Sequence, residues 1–392
     1  MDPKAEKYPV QAMLTPFQVI QLTCGSFLPL LFWVFPRIMV NASQLDAQWS
    51  VGLLVAAGFV IAWVQGRLNH RFPEDTGIDY LAIVFGKWIG KGIGVLYVLV
   101  YIFFVAVGIR MFVFLVGALY MPNTPPFVLI ILFLAVSVYG ARLGVQTLAR
   151  ISAIFNPPVT LGLLLTFLTA LFEYTPFGLF HHIDNWFNVF NGAYETMPML
   201  FGFNFFQMLS PYYKKTKRSF WYPVISMVMN GLLIMVGLLT IVTMLGWELV
   251  QRIQWSFPFL FREIYLEGFI IERVGVSMII ISVVFNVVFT SNHLWGLATS
   301  WARLFNLPRD HFRLFVLPTA VIIGLIAWAF NLERTMEEVV TVYLAPVSWV
   351  TLLGIPICTL MLAVIRKKGQ PGPPKESQQA ADKNKNGQTV SS

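Results

Sequence analysis

Apolar runs long enough to cross a bilayer follow one another from Leu14 to Ile365, and no other feature limits the folding of this chain so strongly. A spanning helix needs about 20 mostly apolar residues, because every backbone N–H and C=O must be satisfied inside the segment across ~30 Å of hydrocarbon. The closed β-barrel is the other solution, but its strands alternate apolar and polar residues. The stretch from Val95 to Val107 does not alternate. Charged residues make up only 12% of the chain and the mean hydropathy is +0.69, too little charge to build a soluble surface. The sequence therefore predicts an all-α membrane protein.

The spans read as 14–35, 49–67, 93–117, 126–141, 149–172, 188–211, 219–246, 268–300, 314–330 and 337–365, about ten transmembrane helices. Loops on one side carry 18 of the 27 basic residues, among them Lys4, Lys7, Arg67, Arg71, Lys87, Lys91, Arg142, Arg150, Lys214, Lys215, Arg303 and Arg366. The opposite loops hold chiefly Arg37, Arg252, Arg262 and Arg334. Basic loops stay in the cytoplasm, so both termini are expected there. The net charge of +8 is thus topological, and a nucleic-acid partner is not expected. Met1 to Val10 is polar and the first apolar run lacks a small-residue cleavage site, so no cleavable signal peptide is predicted.

We read a single transmembrane domain over 1–368 and a disordered cytoplasmic tail over 369–392, whose Gly, Pro, Lys, Ser and Gln cannot bury enough apolar surface to order it. The main outer connections are 36–48, 173–187 and 247–267, with Tyr174, Trp186, Trp247 and Trp255 in or beside the latter two suited to an interface. Cys24 and Cys358 lie in apolar segments without CxxC or Cys/His spacing, so neither a disulfide scaffold, a metal site nor a cofactor is indicated. No GxSxG, Walker A or HExxH pattern occurs, which argues against an enzyme and an ATP-driven pump.

Ten spans divide into halves 14–172 and 188–365, and five spans per half force the second half to run inverted. The lead helix of each half is interrupted, by Cys24-Gly25-Ser26-Phe27-Leu28-Pro29 and by Pro198-Met199-Leu200-Phe201-Gly202. Matching breaks of this kind point to a ligand site near the midplane. Freed N–H groups favour a carboxylate and freed carbonyls an ammonium group. Simple kinking by Gly and Pro is the competing reading, and for Pro157-Pro158 in the fifth span it is the preferred one.

Candidate binding residues are Gly25, Ser26 and Phe27 at the first break and Gly202, Phe203 and Asn204 at the second. Glu195, one turn before Pro198, reads as counterion to a ligand ammonium, as proton acceptor, or as an interfacial carboxylate. Tyr97 and Tyr101 share one face of the third span, with pocket lining and aromatic packing both open. Arg110 falls nearly opposite Tyr101, nine residues on at 3.6 per turn, and either works at depth or snorkels. Ser282, Asn286, Thr290 and His293 form a polar stripe on span eight. Asn286 is kept as a ligand contact beside the reading of helix–helix packing, and His293 is read as a packing residue rather than a proton relay.

Local patterns resemble the B subunits of bacterial spore germinant receptors, the spore permeases of the amino acid/polyamine/organocation transporter superfamily. The resemblance rests on Leu14-Thr15-Pro16-Phe17-Gln18, Phe35-Pro36 with Asp46-Ala47-Gln48-Trp49, Arg71-Phe72-Pro73, Phe85-Gly86-Lys87 with Gly90-Lys91, and Arg110-Met111-Phe112. Pro122-Asn123-Thr124-Pro125, Gly144 to Arg150, Gly202-Phe203-Asn204, Ser210-Pro211-Tyr212 and Ile271-Glu272-Arg273 extend it over roughly 11–368. It implies a five-plus-five inverted repeat with broken first and sixth helices, location in the spore inner membrane, and sensing of a small nutrient such as an amino acid. It also implies two partners, a larger membrane subunit and a lipoprotein. The chain departs from the family at Pro29-Leu30-Leu31, where relatives tend to have a Gly-containing stretch, and at Asn204, where an acidic residue is frequent. The sensor reading stands beside two others, a proton-coupled amino acid permease of the same fold and a structural scaffold.

Overall fold

The computed structural model describes residues 13–27, 34–173, 182–263, 274–330 and 337–369. Pro29-Leu30-Leu31, Tyr174, the Ile271-Glu272-Arg273 motif, Lys4, Lys7, Arg334 and the tail from 370 onward lie outside the described residues. Among the described residues there is no strand, only one isolated parallel bridge between Leu14 and Tyr213.

In chain order the helices are α1 (Pro16–Cys24), α2 (Phe35–Ser43), α3 (Ala47–Arg71), α4 (Gly77–Phe85), α5 (Lys87–Leu119), α6 (Pro126–Leu143) and α7 (Val145–Glu173). There follow α8 (Trp186–Glu195), α9 (Phe203–Phe206), α10 (Tyr222–Leu245), α11 (Trp247–Arg252), α12 (Ser256–Glu263), α13 (Val274–Leu304) and α14 (Phe312–Ala329). The last span, α15 (Val339–Ile365), carries π-helical turns at Val339–Leu344 and Trp349–Gly354. Eight helices among the described residues are long and apolar enough to cross a membrane, the α2–α3 run counting as one of them. Neither α1, of nine residues, nor the α8–α9 stretch, interrupted by 3₁₀ turns, is counted among the eight. The chain is a multi-pass membrane protein.

Two connections differ from expectation. Residues 36–48 are largely helical: Pro36 near the start pre-sets the first turn, and Phe35, Ile38, Met39 and Val40 form a buried face that Arg37 and Asn41 disguise in the sequence. The outer connection 247–267 likewise contains α11 and α12.

Burial separates an inner layer from an outer one. In α5 and α13, 78% of the most apolar stretch is buried, against 28% in α6 and α7 and 33% in α14 and α15. The outer helices present large apolar side chains such as Ile131, Leu132, Tyr139, Leu325, Trp328 and Met361, as helices facing lipid do. The α1 segment packs on α7 and α10, and α13 on α5, α6 and α14.

Basic side chains from several of the basic loops cap helix C-terminal carbonyls at one end of the bundle. Arg71 Nη2 donates to Ala363 O at 2.8 Å, Lys91 Nζ to Leu304 O at 3.1 Å, and Arg366 Nη1 to Val84 O at 2.7 Å. Cations suit the negative ends of helices, so these bonds tie α3, α4, α5, α13 and α15 together. At the same end Arg303 Nε donates to both carboxylate oxygens of Asp79, at 2.9 and 2.8 Å.

Candidate functional site

The first break follows from local chemistry. Thr15 and Gln18 form a capping box that starts α1. At its other end Gly25 keeps a right-handed conformation, and the chain tightens through Ser26 N→Thr23 O at 3.0 Å and Phe27 N→Cys24 O at 3.1 Å. Two neighbouring helices supply the remaining donors. Asn156 of α7 reaches Gln21 O at 2.5 Å, and His293 of α13 places Nε2 3.1 Å from Ser26 O. Gly25 is needed for this approach, since a β-carbon there would stand 2.7 Å from Asn156 Nδ2.

The second break is longer. After α8 ends at Glu195, residues Met197–Gly202 wind as a 3₁₀-helix, α9 holds one turn, and Gln207–Tyr212 is 3₁₀ again. Pro198 and Pro211 lack the N–H that a continuous α-helix would use. Every residue from Thr196 to Tyr213 is buried, so the change of winding is not fraying.

The two breaks touch. The rings of Phe27 and Phe203 meet edge to face with centroids 4.8 Å apart, and Gly202 lies against the Phe27 ring and Ser26 O. The α5 helix connects to both sides: Tyr97 donates its hydroxyl to Asn204 Oδ1, and Tyr101 bonds His293 Nδ1. Ser26 O only accepts, so His293 carries its proton on Nε2 and Nδ1 accepts from Tyr101. Phe104, Phe205 and Phe289 surround the imidazole, with ring centroids at 6.1, 6.0 and 4.1 Å. Among the buried amide atoms at or beside the breaks that have no hydrogen-bond partner among the described residues are Asn204 Nδ2, Gln207 Nε2, Asn292 Oδ1, Asn156 Oδ1 and Gln21 Oε1. Buried polar atoms are ordinarily bonded, which makes these atoms candidates for ligand or water contact.

Of the residues expected from sequence, Gly25, Ser26, Phe27, Gly202, Phe203, Asn204, Tyr97 and Tyr101 come together in this cluster. Glu195 lies beside it and not within it, at the end of α8 just before the second break. There it lines a cavity of about 30 Å³ with Phe35, Ile38, Phe104, Thr196, Pro198 and others. Asn286 is buried, but its amide nitrogen donates to Ser282 O of its own helix at 2.7 Å. Arg110 is 3% exposed, with its guanidinium over the Phe114 ring at 4.1 Å, and so does not snorkel.

Residues 13–335 match the spore permease family, described as spore germination proteins. The chain belongs to that family. Among curated proteins, the spore germination protein YndE of Bacillus subtilis (strain 168) is 26% identical over 136 residues, 33% of this chain and 36% of that relative. The match thus spans about a third of the relative's length. Among solved structures, MhsT in complex with L-phenylalanine superposes with a TM-score of 0.62 at 15% identity, covering 91% of this chain and 90% of that one. A Na+-coupled sialic acid symporter gives 0.51 at 11% identity, over 87% and 79%. At such identities the likeness establishes the fold, the five-plus-five inverted repeat of LeuT-type transporters with its discontinuous lead helices.

Sequence reasoning missed Asn156 and Asn292 and set His293 aside as packing. For Asn156 the only local signal was its place directly before Pro157-Pro158, where no N–H is available to the preceding turn. For His293 the signal was the stripe with Asn286, but a stripe does not reveal which of its turns meets a break.

Proposed function

We propose that this member of the spore permease family is a nutrient-sensing subunit of a spore germination receptor, with the ligand bound where the two broken helices meet. The observation that carries the reading is the apposition of the two breaks, Ser26 and Phe27 against Gly202 and Phe203, surrounded by amide atoms on Asn204, Asn292 and Asn156 that lack a partner among the described residues. A small amino acid suits such a place. Its carboxylate is favoured by the N-terminal end of α2 and its ammonium by freed carbonyls. Gly25, Ser26, Phe27, Tyr97, Tyr101, Gly202, Phe203 and Asn204 form the binding cluster in this reading, with Glu195 beside it.

The rest of the assignment follows the family. The ligand-bound chain passes a conformational change to a larger membrane subunit and a lipoprotein in the spore inner membrane. Residues 1–368 act as one transmembrane domain with halves 14–172 and 188–365, both termini are cytoplasmic, and 369–392 is a disordered tail. A second reading, a proton-coupled amino acid permease, is favoured by one observation: His293 is a buried titratable group bonded to a broken-helix carbonyl.

Deleting the gene in its spore former and measuring germination against a panel of nutrients tests the sensor reading. Loss of the response to one or a few amino acids is the expected result, and an unchanged response to every nutrient refutes it. Purified protein in liposomes with an imposed proton gradient separates the two readings. Gradient-driven uptake of a labelled amino acid decides for the permease.

A further inference from the structure

The cavity at the end of α8 has a polarity that the central cluster lacks. Glu195 is the last residue of that ten-residue helix, so its carboxylate sits at the negative end of the helix dipole. Two sources of negative potential therefore face the same 30 Å³ space. Its other walls are apolar: Val34, Ile38, Val107, Met111, Met199 and Leu344. Among the described residues no Lys or Arg lines it. The bond made by the carboxylate itself is neutral, from Asn191 Nδ2 to Glu195 Oε1 at 3.2 Å.

Thr196 adds a second acceptor. Its hydroxyl proton is committed to Gly192 O at 2.6 Å, which turns the oxygen lone pairs outward. Thr196 also lines the cavity. A carboxylate at a helix C-terminus in apolar surroundings is costly unless a cation approaches it. A ligand ammonium with an apolar body fits the Glu195 side of this lining, and the start of α2 at Val34 and Phe35 leaves the opposite side to a carboxylate.

We propose that Glu195, with the C-terminal end of α8 and Thr196, is the ammonium-recognition subsite of the ligand site, selecting small molecules that join a protonated amine to an apolar side chain. The proposal rests on the reading of the two breaks as a ligand site and adds the group that sets its charge preference. A cavity of this size holds a water or two, so the ligand enters as α2 and α15 part from α8. Those are the elements that supply Phe35, Ile38, Val340 and Leu344 to its walls.

The test is equilibrium binding to the purified full-length chain in lipid nanodiscs, with matched pairs of probes: alanine, valine and phenylalanine against the hydroxy acids in which the amine is replaced by a hydroxyl. The wild-type chain is expected to bind the amine of at least one pair tighter by about tenfold or more. The variant Glu195→Gln is expected to lose that preference by weakening the amine alone, with hydroxy-acid binding unchanged. Equal binding of amine and hydroxy acid by the wild type overturns the subsite while leaving the ligand site standing. So does an undiminished preference in Glu195→Gln. Binding of no probe at all by the wild type overturns the subsite and the amino acid reading together. Equal binding by the wild type keeps that refutation available even where the variant fails to fold.

Discussion

Gly202 lies so close to Phe27 that a β-carbon on it would stand 2.8 Å from the Phe27 ring and equally close to Ser26 O. The ring could turn, but Ser26 O is backbone and is itself held by His293. Gly202→Ala is therefore expected to destabilise by about 1–3 kcal/mol, the usual range for overpacking, read as a lower melting temperature in detergent. Gly202→Leu is expected to abolish the nutrient response of spores while the chain remains inserted in the membrane. An unaltered dose response in that variant removes the ligand from this contact.

Tyr101 and His293 give a prediction about hydrogen bonding. With the proton on Nε2 bonded to Ser26 O, Nδ1 depends on the Tyr101 hydroxyl. Tyr101→Phe strands a buried acceptor, and a loss of about 1–3 kcal/mol follows. His293→Phe combined with Tyr101→Phe removes both ends, so the double variant is expected to lose less than the two single losses added. A thermal-unfolding double-mutant cycle measures the difference. Additive losses would show that the two side chains do not share a bond.

At the basic end, Asp79 serves two elements. It accepts from Thr76 N at 3.0 Å and Thr76 Oγ1 at 2.8 Å, closing the first turn of α4, and it takes both bonds from Arg303 Nε on α13. Asp79→Ala is thus expected to destabilise more than Arg303→Ala. The excess is about 1 kcal/mol, the usual value of an N-terminal cap. Denaturation midpoints of the two variants measure it, and equal midpoints would deny Asp79 its capping role.

Much of this arrangement is legible in the sequence because its causes are local. Apolar length and loop charge give the spans, and Gly25 and Pro198 mark the breaks. The neighbours of those breaks are harder to read. Asn156 meets Gln21 O only because α7 packs on α1, 135 residues away in sequence. The sequence shows Asn156 as part of a proline kink. Asn286 and His293 lie on one face at a seven-residue spacing, yet only the latter reaches Ser26 O. Depth along a long helix is set by tertiary packing and not by periodicity. The helical course of 35–43 was hidden for another reason: Arg37 and Asn41 break the apolar run, although the opposite face is buried.

The polar side of that hidden helix leads to the last prediction. Arg37 on α2 pairs with Glu337, just before α15, at 3.1 Å, with side chains 25% and 17% exposed. Both elements line the Glu195 cavity, so the pair holds shut the walls that must part for a ligand to enter. A partly exposed pair contributes about 0.2–1 kcal/mol. Glu337→Gln should then raise the open population by a factor of up to about five. With Cys358 replaced by Ser, a Thr196→Cys probe in the cavity reports this as faster labelling by a membrane-impermeant thiol reagent. Raising the salt concentration should speed labelling in the wild-type pair and have little effect in Glu337→Gln, because only the intact pair is there to be screened. The charge-exchanged variant Arg37→Glu with Glu337→Arg is expected to return the rate toward wild type. A rate indifferent to all of these changes would place the barrier to entry elsewhere, in the packing of Phe35 and Leu344 over the cavity and not in the ion pair.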